Sequence, residues 1–137
     1  MFKTIMVPTD LGHKDKLDKA MQLAGDLSKH YGAKVILVGV SAAAPSSVAH
    51  NPAEYAEKLE AYAAEQSGKL GGSFTAKAVT SHDPARDLDA VLEEQVHETG
   101  ADLVIMASHV PGFATHVFAS NAGYLASHSE VSVFVVR

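Results

Sequence analysis

Short, nearly unbroken apolar runs alternate along this chain with stretches in which apolar residues recur every three or four positions. Ile5-Met6-Val7, bounded by Pro8-Thr9-Asp10, predicts a buried strand. From Lys14 the period changes: Leu17, Ala20, Met21, Ala24, Leu27 and Tyr31 share one helical face, and Gly32 supplies a left-handed C-cap. Val35-Ile36-Leu37-Val38-Gly39-Val40 is a second apolar run, of the kind found in strands covered on both faces. Ser41 to His50 is small, polar and Pro-containing, and predicts a mobile loop.

Asn51-Pro52-Ala53-Glu54 carries an N-cap, a Pro at the first helical position and a reciprocal Glu. Tyr55, Leu59 and Tyr62 follow on one face of a helix expected to end near Gly68. After Gly71-Gly72, Phe74 to Val79 alternates more weakly and suits a sheet edge. Asp83-Pro84 repeats the cap signal; Leu88, Val91, Leu92 and Val96 form the next helical face, closed by Gly100. Leu103 to Ala107 is a fourth strand. A loop from Ser108 to Ala119 contains Pro111-Gly112, Ser120-Asn121 is expected to cap a short helix running to about His128, and Val131 to Val136 is a final strand.

Strands alternating with helices predict an α/β fold. The expected architecture is an open, twisted, five-stranded parallel sheet of order 3-2-1-4-5, with helices on both faces in a Rossmann-like layout and residues 1–137 as one domain. The repeated helix, Gly-Ala, strand junctions at Gly32-Ala33 and Gly100-Ala101 suggest two similar halves.

The chain has 137 residues, 47% of them hydrophobic and 20% charged, which is long enough for a real core and unlike a disordered composition. Its net charge of -5 and the lack of a basic cluster argue against nucleic-acid binding. The absence of Cys rules out disulfides, thiolate-bound metals and thiol redox chemistry. The first apolar run is too short for a signal peptide, and no run approaches the roughly 18 residues of a membrane span. The expectation is a soluble, cytoplasmic protein.

In such a sheet ligands sit beyond the carboxyl ends of the strands where strand order reverses, here between the first and fourth strands. Asp10 heads the first strand, placed to accept ribose hydroxyls, to hold a divalent cation, or simply to cap a turn. Ser120-Asn121 either offers an anion the free N–H groups of a helix start or serves as an ordinary cap. No Lys or Arg lies between Arg86 and Arg137, so a phosphate here depends on backbone donors, hydroxyls, His109 or a metal. The eight His show no metal-ligand spacing, and most are expected at the surface. His109 differs because it follows the fourth strand, although a structural role suits it equally. A nucleophile elbow, a Walker A loop and a G-x-G-x-x-G turn are all missing.

Taken in order, Lys3-Thr4-Ile5-Met6-Val7-Pro8-Thr9-Asp10, Gly100 to His109, Ser120-Asn121 and Val133-Phe134-Val135-Val136-Arg137 resemble the universal stress protein family over essentially the whole chain. The resemblance implies the adenine nucleotide alpha hydrolase-like fold and a homodimer paired through the C-terminal strand. It also implies ATP, or ADP or AMP, with or without Mg2+, in the crevice. Asp10 would then meet the ribose, Thr9 and Val40 would border adenine, and Pro8 and Met106 would also belong to the nucleotide site. Ala107, His109, Val110, Ala119, Ser120 and Asn121 would approach ribose or phosphates. A regulated protein partner, membrane transporters included, is also implied.

One departure stands out. Ala107, Val110 and Ala119 occupy the places where nucleotide-binding members typically carry the glycines of G-x-x-G and G-[S/T], so Cβ atoms stand where backbone approaches phosphate. Ser108-His109-Val110-Pro111 with Ser120-Asn121-Ala122 is similar to a subgroup of bacterial single-domain members that also bind nucleotide. Two alternatives stay open: a dimeric interaction module without nucleotide, and a slow ATP hydrolase, for which the sequence offers no positioned base or arginine.

Overall fold

The computed structural model describes the backbone of residues 1–107 and 115–137, and the side chains of 1–107 and 121–137. Strands β1 (Thr4–Pro8), β2 (Lys34–Ala42), β3 (Ser73–Ser81), β4 (Leu103–Ala107) and β5 (Ser132–Val136) form one parallel sheet in the expected order, β3-β2-β1-β4-β5. Side chains alternate between its faces. Ile5, Val7, Val35, Leu37, Leu103 and Ile105 meet helices α1 (Asp18–Tyr31) and α2 (Pro52–Leu70) on one face. Met6, Val38, Val104 and Met106 meet α3 (Pro84–Thr99) and α4 (Thr115–His128) on the other. Central strands buried on both faces explain why their sequences read as continuous apolar runs.

Helix ends follow their local chemistry. Asn51 Oδ1 accepts the Glu54 N–H at 2.8 Å and Asp83 Oδ1 that of Arg86 at 3.3 Å, each with a Pro in the following first turn. Gly32 and Gly100 close α1 and α3 with φ of 67° and 69°, a conformation that costs other residues strain. Gly39 has a different reason. A Cβ there would stand 2.5 Å from Tyr55 Oη and 2.9 Å from Leu59 Cδ2, so its absence lets α2 lie directly on β2.

Several boundaries differ from expectation. The first helix does not start at Lys14: Leu11–Lys16 forms a 3-10 segment broken at His13, and α1 follows it. α2 runs through Gly68 to Leu70, because one glycine inside a long helix costs only about 1 kcal/mol and Gly71 ends it instead. β3 covers Ser73–Ser81, since all nine of its residues have partners in β2. The largest difference is α4, which begins at Thr115 rather than after Ser120-Asn121. No Gly or Pro intervenes between Phe113 and Ala122, so nothing in that stretch interrupts a helix extended back from Ala122 and Leu125.

At its amino end β1 is clamped to β4. The Asp102 carboxylate accepts the Lys3 N–H at 2.9 Å through Oδ2 and the Thr4 N–H at 3.1 Å through Oδ1, while the Asp102 N–H donates to the Thr4 carbonyl at 3.0 Å. Asp102→Ala removes both acceptor oxygens and should cost about 1–2 kcal/mol, read as a lower urea midpoint at unchanged slope. Gly39→Ala should cost about 1–3 kcal/mol by overpacking, and an unchanged urea midpoint would contradict the Tyr55 contact.

Candidate functional site

The β1–β2 ladder runs the length of β1, from Thr4↔Lys34 to Pro8↔Val38. The β1–β4 ladder has two registered pairs, Ile5↔Leu103 and Met6↔Val104. Beyond Met6 the two strands have no registered pairs with each other, each staying paired with its other neighbour, and Pro8 has no N–H to offer. This is where strand order reverses, and the residues that follow are those expected to line a crevice. Pro8 and Thr9 are buried, with the Thr9 N–H donating to the Val38 carbonyl at 2.8 Å and its Oγ1 to the Val7 carbonyl at 2.9 Å. Met106 is buried and Ala107, the last residue of β4, is half-buried. Val40, also half-buried, lies two residues beyond the Val38 that pairs with Pro8.

Asp10 comes next, its side chain 39% exposed. One oxygen, Oδ1, accepts the Gly12 N–H at 2.9 Å, and the other, Oδ2, lies 2.8 Å from His13 Nδ1. Asp10 therefore does cap the 3-10 segment, as the plainest reading of the sequence had it, and among the described residues each oxygen retains one free acceptor direction. A Cβ at Gly12 would stand 3.2 Å from Oδ1, so a glycine lets the carboxylate lie over the turn. His13, expected at the surface, has a side chain 40% exposed and is at the same time the partner of Asp10. Burial pushes the Tyr55 phenol up to about 12, and the Asp10 charge adds to the shift, so this hydroxyl stays protonated beside the site.

The segment after β2 is not an untethered loop. Ser41 and Ala42 belong to β2, Ser46 Oγ accepts the Val48 and Ala49 N–H groups at 3.2 and 3.3 Å, and Ala49 is buried in the core. Lys58 Nζ donates to the Val48 carbonyl and pairs with Glu54 Oε1 at 3.2 Å. Between this turn, the 3-10 segment and α2 opens a cleft of about 520 Å3 whose lining includes Gly12, Lys14, Val48, Lys58 and Tyr62. Lys14 Nζ sits 5.8 Å from the centroid of the Tyr62 ring.

Ala119, Ser120 and Asn121 all lie within α4, so the expected cap at Ser120-Asn121 is overturned: these residues are interior to a helix and their N–H groups serve its own ladder. Asn121 is buried at 3% exposure, and its Nδ2 has no hydrogen-bond partner among the described residues. A buried amide left unpaired is uncommon and costly. His109 and Val110, with Pro111-Gly112 of the expected loop, lie outside the described residues. Among those described, no three His, Asp or Glu side chains gather in a way that could hold a metal ion.

The site thus offers a fixed carboxylate at the head of β1, two buried strand ends beside it and a neutral phenol. Sequence reasoning found Asp10 but missed His13, Gly12 and Tyr55. The i, i+3 spacing of Asp10 and His13 was the available signal, although in a helical frame it suggests only a surface pair.

Comparison with known proteins supplies the wider context. The universal stress protein family model matches residues 1–137. Universal stress protein G of Escherichia coli O157:H7 is 29% identical over 142 residues, covering 100% of both chains. A universal stress protein solved in complex with cAMP superposes with a TM-score of 0.71 at 19% identity, over 99% of this chain and 97% of the other. One from Archaeoglobus fulgidus, solved in complex with dAMP, gives 0.69 at 14% identity, over 98% of each.

The entry to α2 beside this site depends on pH. Glu54 accepts the His50 N–H at 3.0 Å and also pairs with the His50 ring and Lys58, which together hold its carboxyl down at about 2 against an ordinary 4.5. A carboxyl lowered on folding stabilises above its unfolded value, and that contribution is lost as pH falls from about 4.5 toward 2. Glu54→Gln should lower the melting temperature by roughly 2–4 °C at neutral pH, and the gap from wild type should close by pH 2; a gap constant with pH contradicts the assignment.

Proposed function

The chain belongs to the universal stress protein family, and on that premise we propose that it binds an adenine nucleotide, ATP or a relative such as ADP or AMP, beyond the carboxyl ends of β1 and β4. The observation that carries this reading is the Asp10 carboxylate, held at both oxygens where strand order reverses and still able to accept one further hydrogen bond on each. A ribose diol is a pair of donors suited to such a group. Relatives of the same fold solved with cAMP and with dAMP support an adenylate as the ligand class.

Pro8, Thr9, Val40 and Met106 would border the adenosine, and Ala107, His109, Val110, Ala119, Ser120 and Asn121 would lie toward ribose and phosphates. The Asn121 Nδ2, without a hydrogen-bond partner among the described residues, would be a donor for such a ligand. Phosphates would meet few fixed charges, because no Lys or Arg lies between Arg86 and Arg137; magnesium, when used, would travel with the phosphate oxygens. Bound nucleotide would act as a signal read by a protein partner in the cytoplasm, rather than as a substrate turned over quickly.

The C-terminal strand supports a homodimer. β5 is a sheet edge, and its Phe134 and Val135 are 48% and 42% exposed, an apolar margin that pairing with a second copy would cover. The alternative of an interaction module without nucleotide is favoured by Ala107, Val110 and Ala119 in place of glycine and by the lack of Lys and Arg between Arg86 and Arg137.

Mass spectrometry of small molecules released from purified, heat-denatured protein should find adenylate, and ATP with magnesium should raise the melting temperature. Asp10→Ala should abolish that rise. Failure of every adenylate to shift the transition selects the nucleotide-free module instead. Phe134→Asp should convert a dimer to monomer in light scattering coupled to gel filtration, and a wild type that runs as a monomer at micromolar concentration removes the dimer from the proposal.

A further inference from the structure

Resting on the nucleotide reading above, we infer that His13 is a positioning residue: by fixing the plane of the Asp10 carboxylate it sets the site's preference for ribonucleotides over 2′-deoxyribonucleotides. An aspartate's terminal torsion is soft, with a broad energy well, so a carboxylate held through one oxygen still swings. Here both oxygens are held, Oδ1 by the Gly12 N–H at 2.9 Å and Oδ2 by His13 Nδ1 at 2.8 Å. A carboxylate only accepts, so Nδ1 carries the proton of the second bond.

Residue 13 is itself anchored independently of its ring. Its N–H donates to the Asp10 carbonyl at 3.0 Å, and its backbone, at φ -135° and ψ 45°, breaks the 3-10 segment into two turns. The next turn is closed separately by the Leu17 N–H on the Lys14 carbonyl at 3.0 Å. Removing the imidazole therefore frees the carboxylate while leaving the main-chain turn its own hydrogen bonds. Gly12 leaves room for this arrangement, since a Cβ there would stand 3.2 Å from Oδ1.

The consequence falls on the sugar. A ribose offers two vicinal hydroxyls, and seating both, one on each oxygen, requires the carboxylate plane to be set in advance; ordering it on binding would cost affinity. A 2′-deoxyribose offers one hydroxyl, which a swinging carboxylate can follow. Loosening Asp10 should therefore penalise the diol far more than the single hydroxyl.

The test is calorimetric titration of the full chain with AMP and with 2′-deoxy-AMP, for wild type, His13→Ala and His13→Asn, alongside melting temperatures without ligand. Wild type should prefer AMP by about tenfold or more. His13→Ala should weaken AMP about tenfold while changing 2′-deoxy-AMP by no more than about twofold. Asparagine places an N–H donor where Nδ1 stood, and His13→Asn should restore most of the preference. A purely structural role for His13 predicts equal weakening of both nucleotides in step with lost stability. That result, or an AMP affinity untouched in His13→Ala, overturns the inference and leaves nucleotide binding intact. Wild type binding neither nucleotide overturns the nucleotide reading and the inference together.

Discussion

The structure turns on how β1 is held to β4: tightly at one end and not at the other. At the amino end the Asp102 carboxylate accepts the N–H groups of Lys3, just before β1, and of Thr4, its first residue, and the Asp102 N–H donates to the Thr4 carbonyl. Two residue pairs later the ladder stops, while on its other side β1 stays paired with β2 through to Pro8. In an open sheet the loops leaving a reversal point run to opposite faces, and here the registered pairs between β1 and β4 end before either strand does. The place where chemistry is expected is thus a by-product of where hydrogen bonding ends.

The turn that follows β1 uses that opening economically. Asp10 caps the 3-10 segment and stands at the head of β1 where strand order reverses, two roles that looked like rival readings in the sequence. They are compatible because a carboxylate has four acceptor directions and the cap with its His13 partner occupies only two. Tyr55 reaches the same region from α2 only because Gly39 leaves room for the helix to settle on β2.

Most of the fold was legible in the sequence, since strands covered on both faces must be apolar throughout and helices covered on one face must show a stripe. Strand order, the edge position of β3, the caps at Asn51 and Asp83 and the closures at Gly32 and Gly100 all follow from local patterns that tertiary contacts reinforce. The start of α4 was not legible, because a Ser-Asn pair has the chemistry of a cap wherever it stands, and only packing of Ala122 and Leu125 against β4 and α3 decides that it is interior. The partnership of His13 with Asp10 was hidden for a related reason. It depends on a break in the 3-10 segment that no periodicity announces. Nor does a run of small residues such as Ser41 to His50 reveal that one serine hydroxyl will gather two backbone N–H groups and bury Ala49.

The two margins of the sheet are unlike. Along β3 the exposed positions are Ser73, Thr75, Ala78 and Thr80, and Lys77 is tied to Glu98 at 2.7 Å; along β5 they include Phe134 and Val135. Lateral growth by strand addition therefore has only one sticky side. Two copies meeting there about a two-fold axis would consume that side on both and leave the β3 borders outermost, so the same asymmetry that would favour pairing would also limit it and keep the sheet from lengthening into a fibre.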